Sequence, residues 1–137
     1  MARRIVIIIY TLAIFFNAFG IYGKVYTRCG LVKELLNMDF SRSFIGNWVC
    51  LIESESGKNT SSIKYKANRS QGLGIFQIRS KDWCTFHRKG GICNVRCEDM
   101  LDENITDDAT CAQKFGFRAW DGWKRNCKGR KLPLPLC

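Results

Sequence analysis

Apolar positions recur at two different periods along this chain, and the change of period divides it. Leu31, Val32, Leu35 and Leu36 are spaced for one face of a short helix, and Phe44, Ile45, Trp48, Val49, Leu51 and Ile52 repeat that spacing more strongly for a second. From Ser56 to Ser70 the chain turns polar and loses the helical period, which suggests loops and short strands. Gly72 to Ile78 reads as a glycine-introduced strand. After Cys84, helical spacing returns around Asp107 to Phe115 and Ala119 to Asn126, with Gly116 as the break. Helices, a small strand region, then helices predict an α+β domain with a cleft between its two parts.

Upstream of this pattern, Arg3 and Arg4 precede an uncharged run from Ile5 to Gly23. The charge-then-apolar order predicts a signal peptide over residues 1–23, a single domain over residues 24–137, and secretion; a membrane anchor is the competing reading of so long a run. After cleavage no stable membrane insertion is expected. The formal charge of +10 falls to about +8 without the two arginines. It thickens at Lys124, Arg125, Lys128, Arg130 and Lys131. A basic surface attracts anionic partners. No nucleic-acid motif accompanies it, so a bacterial envelope is favoured and nucleic acid is not expected.

All eight cysteines (Cys29, Cys50, Cys84, Cys93, Cys97, Cys111, Cys127 and Cys137) follow Gly23. An even number in a short exported chain reads as a disulfide framework, with roughly a hundred pairings open to it. Zinc is disfavoured, because the closest pair is Cys93-x3-Cys97 and His87 is the only histidine. That lone histidine also removes most Ser/His and Cys/His catalytic arrangements.

One carboxylate breaks the pattern. At about 100° per residue, Glu55 falls in the middle of the apolar stripe of the second helix, whereas Glu53 faces away from it. A carboxyl on an apolar face near a helix C-terminus is both desolvated and close to the negative end of the helix dipole; both effects favour the neutral form of a general acid.

The segments Gly46-Asn-Trp-Val-Cys50, Glu55-Ser56, Gly74-Ile-Phe-Gln-Ile78, Trp83-Cys84, Cys93-Asn-Val-Arg-Cys97, Ala119-Trp120 and Trp123-Lys-Arg-Asn-Cys127, with the eight cysteines in register, make the chain resemble the c-type lysozyme and α-lactalbumin family, glycoside hydrolase family 22, over essentially all of residues 24–137. The resemblance implies a lysozyme-like α+β fold, in which a helical lobe and a small antiparallel β lobe flank a sugar-binding cleft. It implies four disulfides, pairing Cys29 with Cys137, Cys50 with Cys127, Cys84 with Cys97 and Cys93 with Cys111. It makes Glu55 the catalytic acid, in a family whose glutamate is the established case of a raised carboxyl pKa. It places Trp120 against that acid and Gln77, Trp83 and Trp120 along the cleft as substrate-binding residues.

Retaining glycosidases place a second carboxylate about 5 Å from the acid. By the resemblance its position here is Gly72, and no Asp or Glu occurs between Ser56 and Lys81. Leu73 replaces the usual aromatic, Arg79 an asparagine or similar polar residue, and Asp82 a frequent cleft aromatic; the stretch between Lys114 and Ala119 is several residues short. Standard muramidase activity is therefore expected to be strongly reduced or absent.

Six acidic residues crowd between Cys97 and Cys111, a density suited to a hard cation. The spacing resembles the family's calcium elbow, which implies side-chain ligands at Asp102, Asp107 and Asp108 and carbonyl ligands at Asp99 and Asn104. No cofactor is required, and calcium would be structural. The competing reading is an acidic helix start at Thr106-Asp107-Asp108. Sequons stand at Asn59, Asn68 and Asn104.

The leading expectation is a secreted, monomeric lysozyme-like protein that acts on or binds peptidoglycan, or a related β-1,4-linked aminosugar polymer of bacterial cell walls. The alternatives are a non-catalytic glycan-binding or recognition protein and an α-lactalbumin-like glycosyltransferase regulator.

Overall fold

The computed structural model describes residues 23–137. The expected signal peptide, apart from Gly23, lies outside the described residues. Helix α1, Arg28–Asn37, starts at Thr27, whose side-chain oxygen accepts the Gly30 N–H and so satisfies a donor of the first turn. Helix α2, Ile45–Ser56, follows a short 3-10 turn at Arg42–Phe44 and stops at Gly57, which takes the left-handed conformation at φ 61°. Ile45, Trp48, Val49, Leu51, Ile52 and Glu55 of α2 are buried, so α2 is the axis on which the rest packs. Phe44, placed on the same stripe by spacing, instead precedes the helix and is exposed.

A three-stranded antiparallel sheet carries the second lobe, with β1 at Ile63–Tyr65, β2 at Gln71–Leu73 and β3 at Ile78–Arg79. Lys64 faces Gly72 across the first pair, and Gly72 faces Arg79 across the second. The expected single strand from Gly72 to Ile78 is thus two strands joined by a turn. Gly74 (φ 71°) and Gln77 (φ 57°) reverse the chain, and Ile75 and Phe76 between them are fully buried. The run is apolar because its turn is inserted into the core; no sheet face lies behind it.

Helix α3, Thr106–Phe115, ends at Gly116, and a 3-10 turn at Phe117–Ala119 leads to α4, Asp121–Asn126. The helix expected to begin at Ala119 is broken at Trp120, whose backbone is extended (φ −89°, ψ 131°). That break lets the Trp120 indole N–H donate to the Phe76 carbonyl at 2.6 Å, so the turn of the β lobe is tied to the helical lobe. Trp48 organises the core where the lobes meet. Phe40, Phe76, Phe117 and Trp120 all meet it nearly edge-to-face, with ring centroids 5.0–6.0 Å away, the arrangement that aromatic quadrupoles prefer.

The disulfides join Cys29 to Cys137, Cys50 to Cys127, Cys84 to Cys97 and Cys93 to Cys111, the pairing that the resemblance implied. The first two tie α1 and α2 to the C-terminal segment across 108 and 77 residues. Closing such long loops restricts the unfolded chain, which suits a domain with a modest core.

Candidate active site

Glu55 occupies the last turn of α2 and is 7% exposed. Its Oε1 accepts the Gly122 backbone N–H at 2.9 Å, from the first turn of α4. Gly122 permits this approach, since a Cβ added there would fall on the Glu55 carboxylate. Neighbouring Ser56 donates from its hydroxyl to the Ile75 carbonyl at 2.6 Å, fixing the end of α2 against the β-lobe turn. Glu53, two residues upstream, points outward as the wheel predicted. The Arg28 guanidinium, bound to it at 2.6 Å, holds its carboxyl below the usual carboxylate range, with Lys58 adding to the effect.

Across the cleft, Gly72 is buried in β2. A Cβ built on it would lie 2.6 Å from Gln77 Oε1 and 3.2 Å from Gln77 Cβ. The Gln77 amide thus lies over the position from which a second carboxylate would project. Gln77 Nε2 donates to the carbonyls of Ser62 and Gly74 at 3.0 and 2.9 Å, whereas its Oε1 is buried without a partner. Two bonds hold the amide here at the cost of one unsatisfied acceptor.

Arg79 spans the cleft. From β3 its Nη2 donates to the Ala119 carbonyl at 3.3 Å, and its guanidinium lies 5.2 Å from the centre of the Trp83 ring. Trp83 is stacked on Phe115 with centroids 3.7 Å apart and meets Trp120 edge-on at 5.1 Å. Trp83 and Trp120, expected along the cleft, are 5% and 3% exposed, and Gln77 is as fully enclosed. All three sit at the junction of the lobes, and the Arg79 guanidinium lies over the Trp83 ring. The sequence marked Arg79 as standing in place of a polar residue but gave no sign of its bridge, which joins residues 40 apart. The role of Gly122 had no signal at all, because a backbone donor is common to every residue but proline.

The acidic loop follows a 3-10 turn at Cys97–Leu101. The Asp99 carboxylate pairs with Arg96 at 2.7 Å, Asp102 Oδ1 accepts the Asn104 N–H, and Asn104 Oδ1 accepts from the backbone and hydroxyl of Thr106. Among the described residues no three acids are gathered closely enough to enclose a metal. One observation does suit a cation: Asp108 is 1% exposed and its Oδ1 has no partner. Burial pushes its carboxyl well above the ordinary range, and the nearby charges of Asp102 and Asp107 push it the same way.

The family model for the C-type lysozyme/alpha-lactalbumin family matches residues 24–137. The chain belongs to that family. It is 42% identical over 123 residues to a lysozyme of Bombyx mori, covering 86% of this chain and 90% of that one. Among solved structures it is similar to the lysozyme of Equus asinus, at 35% identity and a TM-score of 0.72, and to a calcium-binding lysozyme from equine milk, at 36% and 0.73. Each comparison covers 80% of this chain and 93% of the other. A lysozyme-family chain therefore carries the family's fold and disulfides, together with a glycine where the family's second carboxylate was expected.

Proposed function

We propose that this secreted, monomeric lysozyme-family protein engages peptidoglycan or a related β-1,4-linked aminosugar polymer in its cleft, with Glu55 as its only general acid. The observation that carries this reading is the asymmetry of the site. On the helical side the carboxyl is in place: Gly122 holds Oε1, and Oε2 accepts no protein hydrogen bond among the described residues. It can meet a glycosidic oxygen and donate a proton to it.

On the sheet side the chemistry is missing. Bond cleavage develops positive charge on the sugar ring, which a carboxylate normally traps or offsets. Gly72 supplies none, and its neighbour in register, Arg79, is a cation that repels that charge. Retaining turnover has no nucleophile here. Slow inverting attack would need a water held without a carboxylate base, so binding outweighs cleavage. A non-catalytic recognition protein is the second reading, supported by Arg79 lying across the cleft.

We further propose that the elbow formed by Asp99, Asp102, Asn104, Asp107 and Asp108 takes up calcium as a structural ion. The support is the unpartnered Asp108 oxygen among like charges. Binding would draw the side chains of Asp102, Asp107 and Asp108 together, and the hydrolytic step needs no cofactor.

Purified cell walls incubated with the mature protein and with Glu55→Gln test the central reading. Wall binding is expected from both, with little or no release of reducing ends. Release abolished by Glu55→Gln would assign Glu55 as the acid; absence of both binding and release would reject the proposal.

A further inference from the structure

We infer that the cleft selects sugar chains carrying anionic groups, carboxylate or sulfate, and that Arg79 is the residue that makes the selection. The inference rests on the reading that the cleft binds a glycan, and it names the substituent that glycan must bear.

At the end of the cleft that Arg79 spans, between β3 and the start of α4, lies a cavity of about 400 Å³ lined in part by Lys66, Asn68, Arg79, Lys81, Asp82 and Asp121. Lys66, Arg79 and Lys81 form no ion pair among the described residues. Of the two acids, Asp121 is already paired with Lys124 at 3.1 Å, and that bond, with a smaller contribution from Arg79, holds its carboxyl below the usual range. The surroundings strengthen the bias. Residues 57–96 contain nine lysines and arginines against one acid, Asp82, so this stretch carries most of the chain's net positive charge. With three cations against two acids, of which Asp121 is paired outside it, the cavity keeps an excess of positive charge, and such an excess concentrates anionic ligands.

Charge alone would attract any polyanion to the rim; the position of Arg79 adds a chemical criterion. Its guanidinium occupies the Ala119 carbonyl and lies over the Trp83 ring, a hydrogen-bond acceptor and an aromatic face of the kinds that bind sugars. A neutral sugar entering here must displace Arg79 and offers the guanidinium only uncharged hydroxyl acceptors. A sugar with a carboxylate or sulfate gives the displaced guanidinium two charge-assisted hydrogen bonds, stronger than the single 3.3 Å bond to a carbonyl that it loses. Ala119 and Trp83 are then free for the ring. The bridge therefore opens more readily for anionic sugars than for neutral ones. Asn68, whose Oδ1 accepts from Ser70 at 2.6 Å, is held at the same rim with its amide N–H groups available to an acceptor.

The test is calorimetric binding of three hexasaccharides to the disulfide-bonded mature chain at about 0.15 M salt, where charges beyond the cavity are largely screened. Chitohexaose is neutral, a hyaluronan fragment carries carboxylates and a heparin fragment carries sulfates as well. Arg79→Asn is compared with Lys128→Gln, which removes one positive charge outside the cavity. The anionic chains are expected to bind at least about tenfold more tightly than chitohexaose, and Arg79→Asn to remove most of that preference. Lys128→Gln should change it less than about twofold. Arg79→Asn should also strengthen chitohexaose binding, an effect that plain charge attraction would not produce. Binding of both anionic fragments assigns carboxylate as sufficient, and binding of heparin alone assigns sulfate. Equal losses in the two substituted proteins, or chitohexaose binding as well as the anionic chains, would overturn the inference while leaving the cleft a glycan site. Failure to bind any of the three, with no binding to cell walls, would instead reject the reading on which it rests.

Discussion

Two glycines set the character of the cleft, one by what it admits and one by what it lacks. Gly122 admits the Glu55 carboxyl to its backbone N–H, so Gly122→Ala should expel the carboxyl from that position. The loss of a buried hydrogen bond is expected to cost about 1–3 kcal/mol in urea denaturation. Gly72→Asp meets a different obstacle, for its Cβ would press on the Gln77 amide and break the two bonds that hold it. The single substitution should therefore lose about 1–3 kcal/mol of stability. It should restore less cell-wall cleavage than Gly72→Asp combined with Arg79→Asn, as measured by reducing-end release. The sequence displayed Gly72 and Arg79 as departures, because both stand inside a recognisable motif. It placed Gln77 along the cleft but gave no sign that a left-handed backbone turns the Gln77 side chain over Gly72.

At the scale of elements, helices α1 and α2 were legible because each buries a stripe at one period, and Glu55 was legible as the polar residue within such a stripe. Elements that end inside the core were not. Gly72 to Ile78 looked like one strand because a buried turn and a buried strand are equally apolar, and Ala119 to Asn126 looked like one helix because Trp120 keeps the helical period while leaving the helix. The Trp120 indole bond to Phe76 joins these two segments. Trp120→Phe should strand the buried Phe76 carbonyl and cost about 1–3 kcal/mol, seen as a lower urea midpoint with an unchanged slope.

The acidic elbow allows a prediction with a definite pH sign. Because the folded environment raises the Asp108 carboxyl above its ordinary value of 3.8, folding is penalised progressively as pH rises above that value, when the unfolded chain gives up this proton and the folded chain retains it. A bound cation would offset that penalty. Adding calcium should therefore raise Tm near neutral pH, chelation should reverse the gain, and the difference should vanish below about pH 4. An unchanged melt near neutral pH with calcium and with chelator would exclude a structural ion.

Across the whole molecule, charge and covalent framework divide the labour. The disulfides brace the chain, the Trp48 cluster and the Trp120–Phe76 bond hold the two lobes together, and the lobes differ in character: the helical side presents an acid, the sheet side presents cations. Cysteine count identified the framework and the family motifs implied its pairing, since both belong to linear sequence. The opposition of the lobes was only half legible, because it depends on which side chains meet across the cleft. The fold is that of a lysozyme, and the chemistry we propose for it is proton donation without a partner carboxylate. The most direct test is reducing-end release from purified peptidoglycan, measured beside wall binding, for the mature chain and for Glu55→Gln. Both proteins are expected to bind the wall, and the mature chain to release little or nothing more than Glu55→Gln does. Rapid release by the mature chain, comparable to that of a lysozyme with both carboxylates and abolished by Glu55→Gln, would contradict the proposal that the site holds only half of a catalytic pair.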